Sequence, residues 1–286
     1  MIGAAPIQLF GTAFQNPILL ASGTAGFGRE LDDVVHLDRL GGLVTKSVSP
    51  EVRAGHPPPR VMEFAGGMLN AIGLANPGMD LVAEQELPWL AAHLRRARVL
   101  VSVVGDTVDD YATVVRRLGA CDVVTAFELN LSCPNTDRGG EHFGANDAVL
   151  ADLLLRCRDA SPKPLSAKLA PTLADIARTA TVAAEAGAAA ITVINTIPGA
   201  LHDRSAGLGA GQGGVSGPAL LAVGVLATRR VRAATGLPVI GVGGIRTAED
   251  VRQYLDAGAT LVAVGTAGFL DPRLPERLAA RWHRDG

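Results

Sequence analysis

Short apolar runs rich in valine, isoleucine and leucine alternate along the chain with longer stretches whose apolar residues recur at helical spacing. Eight runs read as strands: Ile18–Ala21, Leu43–Lys46, Val99–Val104, Phe127–Leu131, Leu165–Leu169, Ala190–Ile194, Val239–Val242 and Leu261–Val264. Helices are predicted between most of them, at Glu30–Leu40, Val108–Leu118, Leu173–Ala186, Leu220–Ala234 and Ala248–Ala257. The last three precede Gly187, Gly236 and Gly258, as helix C-termini often do. Such alternation signals βαβ units and a parallel sheet. Eight strands with no linker or compositional break predict an α/β fold, a single (β/α)8 TIM barrel over residues 1–286, and not an open doubly wound sheet.

Two stretches exceed what a minimal barrel needs. The segment 49–78 is proline-rich at Pro57-Pro58-Pro59 and turns apolar from Met68 to Leu74, and the segment 196–217 is rich in glycine. Both follow strands, so both belong to the face where barrel enzymes place their sites, and loops of this length are expected to act as lids or binding surfaces.

Composition narrows the picture. Of 286 residues, 48% are hydrophobic and 19% charged, ample for one large core. A net charge of −2 argues against nucleic acid or an acidic membrane as the main partner. The cysteines Cys121, Cys133 and Cys157 form no CxxC pair, and the start Met1–Phe10 lacks a signal-peptide pattern. The expected protein is soluble, reduced and cytoplasmic. His36, His56, His93, His142, His202 and His283 show no metal spacing, and Arg95-Arg96-Ala97-Arg98 reads as a solvated helix end.

Candidate chemistry gathers at the strand ends. The fourth apolar run stops at Ser132-Cys133-Pro134, with Asn130 and Asn135 on either side of the thiol. Proline stiffens that turn and biases Cys133 toward an extended backbone, a setting in which buried structural cysteines rarely sit. The other strands end in Ser22-Gly23, Lys46-Ser47, Lys168, Asn195-Thr196, Gly243-Gly244 and Gly265-Thr266. Only three of the 26 basic residues are lysines, and two of these, Lys46 and Lys168, stand at strand ends, which suggests that a compact point charge is wanted there. Glycines after the seventh and eighth strands, with Ser216-Gly217-Pro218 opening a helix, suit a phosphate. That pattern is consistent with a phosphorylated substrate or with a cofactor such as FMN.

In the order Gly55-His-Pro-Pro-Pro-Arg60, Met68-Leu-Asn-Ala-Ile-Gly-Leu-Ala-Asn-Pro-Gly78 and Asn130-Leu-Ser-Cys-Pro-Asn135, these motifs resemble the dihydroorotate dehydrogenases. The likeness continues through Ile194-Asn-Thr196, Gly214-Val-Ser-Gly-Pro218, Gly241-Val-Gly-Gly244 and Gly265-Thr266. It is strongest with the cytosolic class I enzymes, type B. The resemblance implies oxidation of dihydroorotate to orotate, with Cys133 as catalytic base. It implies FMN held by Ser22, Lys46, Ser47, Asn130, Lys168, Ile194, Gly217, Gly243, Gly244, Gly265 and Thr266. It implies substrate contacts from Lys46, Asn70, Ala71, Ile72, Gly73, Leu74, Asn130, Asn135, Asn195 and Thr196. Ser102 stands where the family usually has a flavin-contacting asparagine. Type B further implies a homodimer core in a heterotetramer, whose partner subunit carries FAD and a 2Fe–2S cluster and passes electrons to NAD. Readings left open are a type A enzyme using fumarate, a dihydropyrimidine dehydrogenase-like flavoenzyme, a phosphate-binding synthase or aldolase, and a non-catalytic subunit.

Overall fold

A computed structural model describes residues 6–131, 143–202, 208 and 211–285. The strands in chain order are β1 (Ile7–Leu9), β2 (Thr12–Phe14), β3 (Ile18–Leu20), β4 (Gly42–Val44), β5 (Val61–Phe64), β6 (Gly67–Asn70) and β7 (Arg98–Val103). They continue with β8 (Val124–Asn130), β9 (Leu165–Leu169), β10 (Ala190–Val193), β11 (Ile197–Gly199), β12 (Gly213–Ser216), β13 (Val239–Val242) and β14 (Leu261–Val264). Eight of these close a parallel barrel in the order β3-β4-β7-β8-β9-β10-β13-β14. They are the eight predicted strands, with ends displaced by at most three residues.

Alternation along each strand sorts the side chains into two layers. One set, including Leu19, Val44, Leu100, Ala126, Ile240 and Leu261, fills the barrel interior, and the β1–β2 hairpin plugs its lower end with Leu9 and Phe14. The other set, including Leu20, Leu43, Val101, Phe127, Leu129, Ile191 and Val262, packs outward beneath the helices. The hairpin turns at Phe10 and Gly11, both at positive φ (55° and 71°), as a two-residue connection requires.

The helices follow their caps. Thr107 and Asp110 form a reciprocal capping box that starts Val108–Gly119, and Thr247 with Asp250 does the same for Ala248–Asp256. The helix predicted from Leu173 begins later, at Ile176, because the Asp175 carboxylate accepts the N–H groups of Ala177 and Arg178 and so makes Asp175 the N-cap. Gly187, Gly236 and Gly258 terminate helices at φ 102°, 66° and 101°.

The expected helix Glu30–Leu40 is absent. That crossover holds two short 3-10 turns, Arg29–Leu31 and Leu37–Arg39, and Glu30 folds back to accept the Phe27 N–H at 3.1 Å. The C-terminal helix Leu274–Asp285 packs on β3 in its place, and Arg39 Nη1 reaches Glu276 Oε1 at 2.6 Å. The arginine cluster is not on a helix, with Arg95 and Arg96 in the turn before β7 and Arg98 the first residue of that strand. Its backbone is anchored by Asp38, whose Oδ1 accepts the N–H groups of Arg95, Arg96 and Ala97 at 2.8, 2.6 and 2.9 Å. Burial pushes this carboxyl up, and the three backbone bonds more than offset it, so its pKa lies below the ordinary value.

The two long stretches fold together. Segment 49–78 supplies β5 and β6, segment 196–217 supplies β11 and β12, and the four pair antiparallel as β11-β12-β6-β5. Leu69, Ala71 and Leu208 form the small apolar core of this sheet, backed by Met62, Leu201 and Val215. The sheet contributes Val61, Met68 and Asn70 to the wall of the cavity at the carboxyl ends of the barrel strands.

Candidate active site

The cavity has a volume of about 660 Å³. Its floor continues the inward-facing positions of the strands, and on the β7–β10 side those positions turn polar. Ser102, Glu128, Asn130, Ser166, Lys168 and Thr192 are all buried there. Ser166 and Thr192 share a hydroxyl hydrogen bond of 2.9 Å, and the Lys168 ammonium donates to Glu128 Oε1 at 3.1 Å, with both side chains at most 8% exposed.

The amide wall is set by Asn130 and Asn195. Asn195 Nδ2 donates to Asn130 Oδ1 at 3.1 Å, and Tyr111, buried behind β8, donates its hydroxyl to the Asn130 carbonyl at 2.6 Å. Asn195 Oδ1 in turn accepts the Thr196 N–H at 2.9 Å. Across the cavity, Asn70 Nδ2 donates to the Gly214 carbonyl at 2.9 Å, so the four-stranded sheet β11-β12-β6-β5, termed the lid sheet below, itself holds this amide. Ile72, Gly73 and Leu74 follow along the wall, with Gly73 and Leu74 both at positive φ (68° and 55°). Lys46 lies half-buried at the end of β4. Burial is the largest influence on it and lowers its pKa, with Glu30 pulling it back up and Arg60 lowering it further.

The opposite end is lined by backbone. Gly217, Gly243, Gly244, Gly265 and Thr266 meet there, and Thr266 Oγ1 donates to Ser216 Oγ at 2.7 Å. Gly244, at φ 74°, lies so close to the start of the helix Leu221–Thr235 that a Cβ would stand 2.5 Å from the Leu221 nitrogen. Tyr254 holds the loop from behind, its hydroxyl 2.9 Å from the Val242 carbonyl and 2.8 Å from that of Gly243. Gly265 differs from these. A Cβ on it would meet only Ala21 Cβ, at 3.8 Å, and its φ is not positive. Neither packing nor backbone geometry requires glycine at 265, so the space it leaves belongs to the cavity. An exposed glycine edge with hydroxyls at one end, and lysine with amides at the other, suits a phosphorylated ring cofactor such as FMN.

A family model described as dihydroorotate dehydrogenase matches residues 5–283. The chain belongs to the dihydroorotate dehydrogenase family. It is 44% identical over 269 residues to the catalytic subunit of dihydroorotate dehydrogenase B (NAD(+)) from Geobacillus kaustophilus, covering 93% of this chain and 85% of that one. The same-named subunit of Listeria monocytogenes is 42% identical over 285 residues, covering 96% and 93%. That of Anoxybacillus flavithermus is 43% identical over 269 residues, covering 93% and 86%.

Most residues expected of a dihydroorotate dehydrogenase site do converge. Ser22, Lys46, Ser47, Asn70, Ile72, Gly73, Leu74, Asn130, Lys168, Ile194, Asn195, Thr196, Gly217, Gly243, Gly244, Gly265 and Thr266 all line the cavity. Two do not. Ala71 alternates away into the small core of the lid sheet, and Ser102 lies fully buried beneath the floor, sharing a 2.8 Å hydrogen bond with Ser47 Oγ. Through that bond Ser102 supports Ser47, which does line the cavity. Cys133 and Asn135 lie outside the described residues. Sequence reasoning missed Glu128, although its signal was present: a lone carboxylate inside the apolar run from Val123 to Leu131. It also missed Glu63, Arg246, Phe269 and Leu270 along the cavity wall, which no local pattern marks, whereas Ser216, read as part of the phosphate motif, does line the cavity.

Proposed function

We propose that the chain oxidises (S)-dihydroorotate to orotate, a step of pyrimidine biosynthesis, with FMN as the bound oxidant. The observation that carries this reading is one cavity, in a barrel of the dihydroorotate dehydrogenase family, that joins a lysine-and-amide wall to a glycine edge open at Gly265. FMN supplies the hydride acceptor for C6 of the substrate. The chain supplies binding, orientation and the proton acceptor. Cys133, three residues beyond Asn130, takes the proton from C5. A thiol with a reference pKa of roughly 8.5 needs nearby cations or oriented amides to act as thiolate at neutral pH, and this wall is built of both.

Asn70, Asn130 and Asn195 offer donors and acceptors without charge, which suits the amide edges of a dihydropyrimidine ring, and Asn135 joins them. Lys46 meets the carboxylate. An anion beside it restores the favourable environment that burial removes, so substrate binding and the charged state of Lys46 reinforce each other. With FMN go Ser22, Ser47 and Lys168 on one side and Gly217, Gly243, Gly244, Gly265 and Thr266 on the other.

The names of the relatives support an NAD-linked route. We assign it to a partner subunit bearing FAD and a 2Fe–2S cluster, in a heterotetramer on a homodimer core. A visible spectrum of the natively purified complex tests this: FMN, FAD and iron–sulfur absorption with NAD-dependent turnover is expected. FMN alone with fumarate-dependent turnover overturns the NAD route, and uracil reduction overturns the substrate. Cys133→Ser is expected to retain FMN and lose at least about 100-fold in turnover at neutral pH. Full turnover in that variant removes Cys133 from the mechanism.

A further inference from the structure

Among the described residues, the buried charged side chains are Glu128, Lys168 and Asp250, and Asp250 is explained by its helix cap. Glu128 and Lys168 are not explained by the fold. A buried ion pair is weak evidence for stability, because desolvating two charges costs about as much as their attraction returns. The apolar interior beside them shows what the barrel uses where only packing is needed.

Register gives the pair a direction. Asn130 on β8 is level with Lys168 on β9, and Glu128 is level with Ser166, one inward layer further from the mouth. The carboxylate therefore reaches the ammonium from below, at 3.1 Å, while Lys168 also lines the cavity. An ammonium has three N–H donors, and taking one from beneath fixes the stem while leaving the upper side for a bound group. Among the described residues, Lys46, Glu63 and Arg246 are the other charged residues on the cavity wall, contributed by the end of β4, by β5 and by the turn after β13.

We propose that Glu128 is a positioning residue for Lys168, pinning the ammonium at the cavity floor and offsetting its charge so that the bound flavin is held at a lower reduction potential than an unpaired lysine would impose. The inference rests on the flavin reading above. A lysine near a flavin favours the reduced form, whose negative charge it stabilises, and a carboxylate on the far side of that lysine weakens the preference.

The test is a double-mutant cycle read by flavin potential, with Glu128→Gln, Lys168→Met and the pair combined in the flavin-loaded protein at pH 7. Glu128→Gln is expected to raise the preference for reduced over oxidised flavin by about tenfold, equal to about 30 mV for a two-electron couple. Lys168→Met is expected to lower it, and Glu128→Gln added to Lys168→Met is expected to raise it by less than Glu128→Gln does alone, because the part of the carboxylate's effect that works by holding the ammonium is lost with the lysine. An equal rise in both backgrounds overturns the positioning role. A side chain that merely fills space would not give shifts of opposite sign. No shift in Glu128→Gln, or a downward one, overturns the proposal. Should Glu128→Gln alone not load flavin, Glu128→Asp takes its place: an upward shift from the shorter carboxylate, which holds the ammonium less firmly and from further away, supports the proposal and the absence of one overturns it. Unsubstituted protein that binds no flavin overturns the flavin reading itself, which separates the two failures.

Discussion

Gly265 and Gly244 are both glycines on the cavity wall, and the structure gives them different reasons. A side chain on Gly244 would collide with the Leu221 backbone, whereas one on Gly265 would project into open cavity. Gly265→Ala is therefore expected to fold with an unchanged melting temperature and to weaken flavin binding at least about tenfold, which fluorescence titration of the apoprotein would show. Equal affinity would mean that nothing occupies the space beside Gly265. Individual residues were legible where their chemistry is rare: two of three lysines, a thiol before proline, and amides at strand ends. Ser102 was legible as a departure but not as a floor residue, because its place beneath Ser47 depends on the β4–β7 contact.

At the scale of elements, strands and helix stops were readable because a two-residue period and glycine C-caps are local properties. The lid was readable only as two long loops. Its sheet arises from β6 pairing with both β5 and β12, and the β6–β12 partnership joins residues nearly 150 positions apart. Because Leu69 belongs to the small lid core and not to the barrel core, Leu69→Ala should loosen the lid selectively. The truncation is expected to cost about 2–5 kcal/mol locally. Hydrogen exchange should then speed up in β5, β6 and β12 while β8 and β9 amides keep their protection; uniform loss across the barrel would show that lid and barrel unfold together. Cys157 offers a second check. It is fully buried in the helix Asp147–Ala160, so it should resist alkylation at pH 8 in the native protein and react once the chain is denatured.

The whole molecule adds a pH dependence that no local segment contains. Burial pushes the Cys157 thiol up to about 12 from an ordinary 9.0. The native state then keeps a proton that the unfolded chain loses, so stability falls as pH rises from about 9 toward 12, by up to about 1.4 kcal/mol per pH unit. Tyr254, raised first by burial and then by Asp250, acts with the same sign from above its ordinary 10.0. Lys46 acts with the opposite sign: its depressed pKa makes stability rise with pH up to 10.5. The thiol's share is isolated by comparison, and urea unfolding between pH 8 and 10.5 should decline less steeply in Cys157→Ala than in the unsubstituted protein. Parallel curves would show that the thiol ionises as readily folded as unfolded.

From the sequence alone followed the eight strands, their order, the barrel and the polar character of its carboxyl ends, since all of these rest on periodicity and residue type within short windows. The missing first helix, the lid sheet, the removal of Ala71 and Ser102 from the cavity wall and the Glu128–Lys168 pair were decided only by tertiary structure. Each depends on which distant segments meet: the C-terminal helix over β3, segment 196–217 against 49–78, β4 against β7, and β8 against β9. Local pattern sets which face a side chain takes, and the neighbours on that face determine what it can do.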